Sequence, residues 1–171
     1  MEELFQRLDA ALAENQPKLY ATLQPGRVIP WKEPGQIKHW YRWRDGQSRD
    51  SQVTLLGSYH FASYSEARTE LQILRRSFIE APLNALILVA LAPQTFSSLP
   101  LLTDVAGDGY YFHLRRRTVY YRFKGEQDID FPRFESFLEF LIELVSQPPR
   151  SVGRSAEKEF ELLGRFANLN G

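Results

Sequence analysis

The stretch Leu99–Phe123, LPLLTDVAGDGYYFHLRRRTVYYRF, reads as a lead-in turn followed by a β-hairpin. Leu99, Pro100, Leu101 and Leu102 run into a loop, Thr103–Gly109, in which Gly107 and Gly109 supply the positive φ that a tight reversal needs. Tyr110–Leu114 and Val119–Phe123 are aromatic or β-branched, as strands prefer. Between them Arg115–Thr118 is the connection, and its three arginines read as a solvated turn. Period-two alternation puts Tyr110, Phe112 and Leu114 on one face of the first arm, and Val119, Tyr121 and Phe123 on one face of the second. A two-stranded ribbon alone is marginal in water. The rest of the chain must therefore supply strands and helices to cover it.

A length of 171 residues, with 43% hydrophobic and 13% aromatic residues, fits one folded domain able to bury a core. Basic and acidic residues both number 21, so no global field draws in nucleic acid or an anionic membrane. Cysteine is absent, which removes disulfides, thiolate zinc sites and cysteine nucleophiles. The amphipathic, acidic start MEELFQRLDAALAEN is not expected to be a signal peptide. The longest apolar run, Ala85–Ala92, falls short of the roughly 20 residues of a spanning helix. These features predict a soluble, cytoplasmic protein.

Leu4, Phe5, Leu8, Ala11 and Leu12 recur at helical spacing and predict a helix over Met1–Glu14. Leu19, Tyr20 and Leu23 extend it or form a second turn before Pro25-Gly26. Ile37–Gln47 reads as a short helix closed by Gly46. Val53–Phe61, split by Gly57, holds one short strand. Ser63-Tyr64-Ser65-Glu66 matches a capping box and predicts a helix over Tyr64–Phe78. Leu83–Ala92 is a buried strand or a buried helix, which periodicity cannot separate. Gly125–Asp130 reads as an acidic turn. A strong amphipathic helix follows over Pro132–Ser146, with Pro132 suited to its first turn. Gln147–Arg154 is a linker, and Ala156–Leu169 is a last helix that either docks on the core or serves as an arm for a partner. Residues 1–146 therefore form the main domain, and 147–171 a linker with a short C-terminal helix.

Catalytic constellations are missing. His39, His60 and His113 lie on separate elements without ligand spacing, and each reads as a surface or half-buried histidine. Asp104 and Asp108 fail the EF-hand pattern, since Ala106 and Arg115 occupy ligand positions, and they read as turn formers. No nucleophile elbow, phosphate-binding loop or dinucleotide fingerprint occurs. Neither cofactor nor metal is implied. Arginines interleave with aromatics at Trp40–Arg44 and Arg115–Arg122, a pattern that can bind single-stranded nucleic acid, but the zero net charge argues against it.

Four segments resemble the SUKH superfamily, named for the yeast cell-wall-synthesis regulator and its bacterial relatives. Tyr41-Arg42-Trp43-Arg44-Asp45-Gly46-Gln47 resembles its "yrWh(d/n)Gq" segment, and Leu56–Ala67 its "f.gyrflsleeA" segment. Leu99–Asp104 with Gly107–Tyr111 resembles "(W)iPlf.d..gdyy", and Phe134–Leu141 the closing "SFeeFL" helix. The blocks keep the family's order over roughly Ile37–Leu144. Ser98 stands where many members have Trp, and Pro34-Gly35-Gln36 replaces the usual "LP" start. The resemblance implies a single-domain α+β fold, with a central, mainly antiparallel sheet and helices packed on it, and a non-enzymatic, protein-binding role. Bacterial members often neutralise toxins, and fungal members are regulatory scaffolds.

The expected function is thus recognition of another protein, either a toxin to be neutralised or a large complex. Candidate contact residues are Trp43, Asp45, Tyr59, Asp104, Asp108, Tyr110 and Tyr111, because aromatics anchor such interfaces. The competing reading of Trp43 is that it belongs to the core. Two alternatives from other classes are a small-molecule or nucleotide-binding module and a single-stranded nucleic-acid binder.

Overall fold

The computed structural model describes residues 1–48, 50–80, 97–123, 128–146 and 152–167. In chain order the elements are α1 (Glu2–Asn15), α2 (Pro17–Tyr20), β1 (Leu23–Pro25), α3 (Gly35–Trp43), β2 (Arg44–Gln47), β3 (His60–Phe61), α4 (Tyr64–Glu80), β4 (Ser98–Thr103), β5 (Gly109–His113), β6 (Thr118–Arg122), β7 (Ile129–Asp130), α5 (Phe134–Val145) and α6 (Val152–Phe166). Two antiparallel sheets form: β1 with β2, and a five-stranded sheet ordered β3-β4-β5-β6-β7. The fold is α+β. No helix among the described residues is long and apolar enough to cross a membrane.

The hairpin forms, with each arm one residue earlier than expected, so that Leu114 falls in the connecting turn, Thr118 opens β6 and Phe123 lies past its end. Tyr110 faces Tyr121, Tyr111 faces Tyr120 and Phe112 faces Val119 across β5 and β6. One face of the sheet packs on α5: the Tyr110 ring lies 5.6 Å from Phe137 and 5.4 Å from Phe140, and Phe112 lies 5.9 Å from Phe134. Trp40 of α3 joins this cluster, stacked on Phe61 at 6.0 Å and 5.9 Å from Phe137. Helix α1 packs on α5 through its apolar stripe, with Leu8 and Leu12 fully buried. On the opposite face Tyr111 stacks on Tyr120, and the Arg122 guanidinium sits 4.9 Å over the Tyr111 ring.

Several expectations are corrected. Leu99–Leu102 is no lead-in turn but most of β4, a strand flanked on both sides and buried from Ser98 to Leu102. A strand buried on both faces shows no alternation. Pro100 sits beside a register shift in the pairing with β5, where a missing N–H is tolerated. Gly46 does not close a helix: α3 ends at Trp43, and Gly46 lies in β2 with φ +74°. A Cβ there would stand 2.4 Å from the Ser63 amide nitrogen, so β2 passes directly under the start of α4. Asp130 is in a short edge strand, and α5 begins at Phe134 rather than Pro132. His113 is buried rather than half-buried.

The capping box is present: the Ser63 amide donates to Glu66 Oε2 at 2.9 Å, and the Glu66 amide to Ser63 Oγ at 3.3 Å. Val152–Arg154 belong to α6 and not to a linker. That helix docks: Leu162 and Leu163 are buried, and it packs on α5. The expectations for Leu83–Ala92, for residues 125–127 and for the linker at 147–151 lie outside the described residues.

Candidate functional site

The residues singled out from sequence do not converge on one place. Trp43 is half-buried, its ring 5.4 Å from Phe5 and its Nε1 donating to Asp9 Oδ1 at 3.0 Å. It lines a shallow groove of about 300 Å³ with Phe5, Asp9, His39 and Arg42. The deeper core tryptophan is Trp40, at 1% exposure. Asp45 accepts the Tyr64 amide at 2.8 Å, capping α4, and pairs with Arg27 at 3.1 Å. Asp104 organises the β4–β5 turn: its carboxylate accepts the Ala106 and Asp108 amides at 2.8 and 2.9 Å. Tyr111 is buried beside that turn and donates to the Gly107 carbonyl at 2.7 Å.

Tyr59 and Tyr110 are brought together, but inside the protein. Both are buried, and both hydroxyls donate to Glu159 of α6, Tyr59 over 3.5 Å. Tyr121 completes the group, its hydroxyl 3.2 Å from that of Tyr59. Burial pushes the Tyr59 and Tyr110 hydroxyls far up, and the Glu159 carboxylate adds to this. Burial raises Glu159 as well, against the pull of the two tyrosine hydroxyls. These tyrosines hold α6 on the sheet and present no surface to a partner. Among the described residues no group of three or more His, Asp or Glu side chains is placed to hold a metal ion.

Val105 is fully exposed in the Asp104–Asp108 turn, and the exposed tryptophan lies elsewhere. Trp31 is 88% and Val28 85% exposed, both on the loop between β1 and α3. The loop is pinned at several points. The Arg27 amide donates to the Tyr41 carbonyl at 2.8 Å, Ile29 is buried, and Lys38 Nζ donates to the Trp31 carbonyl at 3.3 Å. Next to it lies a cleft of about 450 Å³, lined by Lys32, Glu33, Pro34, Gly35, Arg68, Leu114 and Arg117. Glu33 is buried at its edge, accepting the Tyr64 hydroxyl at 2.9 Å with Arg68 Nη1 3.6 Å away. Burial, and then the Glu33 carboxylate, push the Tyr64 hydroxyl up to about 12, against the opposing charge of Arg68.

Sequence reasoning passed over Trp31. The available signal is negative: a large apolar residue between Pro30 and Pro34 that belongs to no periodic stripe and so has no core to join. Comparison with known protein families finds no match, and no curated protein is similar enough to count as a relative.

Proposed function

We propose that this chain is a non-enzymatic, SUKH-like protein-binding domain. It acts in the cytoplasm either as an immunity protein that masks a toxin or as a scaffold that docks on a larger assembly. The observation that carries the reading is Trp31: a tryptophan left 88% in water on a pinned loop. Burying such a side chain is worth roughly 1.5–3 kcal/mol or more. Tryptophan is among the residues most enriched at the centres of protein interfaces. A loop already held in place loses little freedom on binding, which favours affinity. The cations beside it support a second reading, a small-anion or nucleotide binder, which a thermal-shift screen separates, because a ligand bound to the native state raises its stability.

The test is site-specific cross-linking. A photo-reactive amino acid replaces Val28, beside Trp31, and the chain is irradiated in its own host. Capture of a discrete protein, abolished by Trp31→Ala, is the expected result. Capture that ignores Trp31→Ala, or of nothing at all, contradicts the reading. A captured toxin encoded next to this chain selects immunity, and a component of a large complex selects the scaffold role.

A further inference from the structure

The turn joining β5 to β6 holds an unusual backbone. Arg117 has φ +60°, a left-handed value that glycine takes freely and a side chain resists. Its amide donates to the His113 carbonyl at 2.8 Å. The buried His113 ring accepts the Arg115 and Arg116 amides at Nδ1, each at 3.2 Å. Three consecutive arginine amides are therefore fixed by one histidine, and the three side chains are exposed. Strained residues of this kind cluster where a side chain has a task.

Arg117 lines the cleft beside Trp31. Lys32 and Arg68 supply two further cations, against the single carboxylate of Glu33. Glu33 already serves Arg68 and the Tyr64 hydroxyl. Among the described residues no carboxylate lies within ion-pair distance of Lys32 or Arg117. A chain with no net charge thus concentrates positive charge at one cleft. Leu114 and Pro34 give that cleft an apolar wall.

We propose that this cleft receives an aspartate or glutamate side chain from an acidic segment of a partner protein, with a neighbouring apolar residue of that segment packed on Trp31. This deepens the protein-binding reading and rests on it. Guanidinium groups pair with carboxylates through two parallel hydrogen bonds, and the apolar wall suits the methylenes of glutamate. A nucleic-acid strand fits less well. It calls for a track of cations and successive stacking rings, whereas here three cations converge on one cleft beside a single exposed ring.

The probe is a fluorescent peptide with one leucine flanked by glutamates, titrated onto the full chain by anisotropy. Controls are the same peptide with glutamines, a short single-stranded oligonucleotide and inorganic phosphate. The glutamate peptide binds and the glutamine peptide does not. Arg117→Gly weakens binding about tenfold while raising the melting temperature, because glycine relieves the left-handed φ. Lys32→Gln weakens binding and leaves the melting temperature unchanged. Equal binding of both peptides, binding of neither, tighter binding of oligonucleotide or phosphate, or an Arg117-dependent dimer in sedimentation overturns the inference. Trp31-dependent cross-linking to a protein survives those outcomes, so the broader reading fails separately.

Discussion

The hydroxyl of Tyr110, on the central hairpin, donates to the carboxylate of Glu159, on the last helix. Tyr110 is fully buried and Glu159 is 5% exposed. A polar contact this deep needs its partner: removing one side leaves the other desolvated and unsatisfied, at about 1–3 kcal/mol. Glu159→Ala is therefore expected to destabilise by about 1–3 kcal/mol, with Glu159→Gln milder because an acceptor remains. Urea denaturation of the two variants checks this, and equal losses contradict it.

The same network sets a pH dependence. Burial raises Glu159 above its usual 4.5, so the folded chain keeps that proton after the unfolded chain has lost it. Its contribution is complete below about 4.5 and is lost as pH rises through the raised value. His113 works in the opposite direction. Burial, then the Arg116 charge, hold it below its usual 6.5, so the unfolded chain protonates first. Its contribution is complete above about 6.5 and is lost as pH falls through the depressed value. Protonation also removes the acceptor for the Arg115 and Arg116 amides. Urea midpoints taken from about pH 4 to about pH 8 are expected to show wild type minus Glu159→Gln falling with pH. Wild type minus His113→Gln rises. A flat difference for either variant contradicts its assignment.

The tryptophans separate cleanly. Trp40 is 1% exposed and touches Phe5, Phe61, Phe134 and Phe137. Trp40→Ala is expected to cost about 3–5 kcal/mol, a large share of a typical stability of about 5–15 kcal/mol. Trp43 is only partly buried, packed on the edge of the core against Phe5, Trp40 and Phe61, and its acceptor Asp9 keeps Arg44 at 2.8 Å and Tyr20 at 2.8 Å. Trp43→Ala therefore falls below the Trp40 range in thermal denaturation, and the reverse order contradicts this placement.

Much of the fold was legible where local chemistry and tertiary structure agree. Ser63 and Glu66 mark a helix start because the box closes within one turn. Leu8, Leu12, Phe137 and Leu141 mark helix faces because one side of each helix is buried. The hairpin follows from its aromatic and β-branched arms. What local pattern missed is fixed by distant partners. β4 is sandwiched on both faces and shows no alternation. β2, with the polar sequence RDGQ, is a strand because β1 pairs with it. Glu159 meets Tyr59 across a hundred positions, beyond any periodicity. Tyr59 and Tyr110 were singled out for a related reason: they have the composition of interface anchors, and the core, where both are buried, uses the same composition.

Trp31 is the residue on which protein binding depends in this proposal. Substituting so exposed a residue is expected to change stability by no more than about 0.5 kcal/mol, so Trp31→Ala isolates binding from folding. The decisive measurement is quantitative recovery of co-purifying protein by wild type and Trp31→Ala at equal amounts of folded chain. A specific partner is expected with wild type, and its loss, at unchanged melting temperature, with the variant. The same partner recovered in equal amount by both would contradict it.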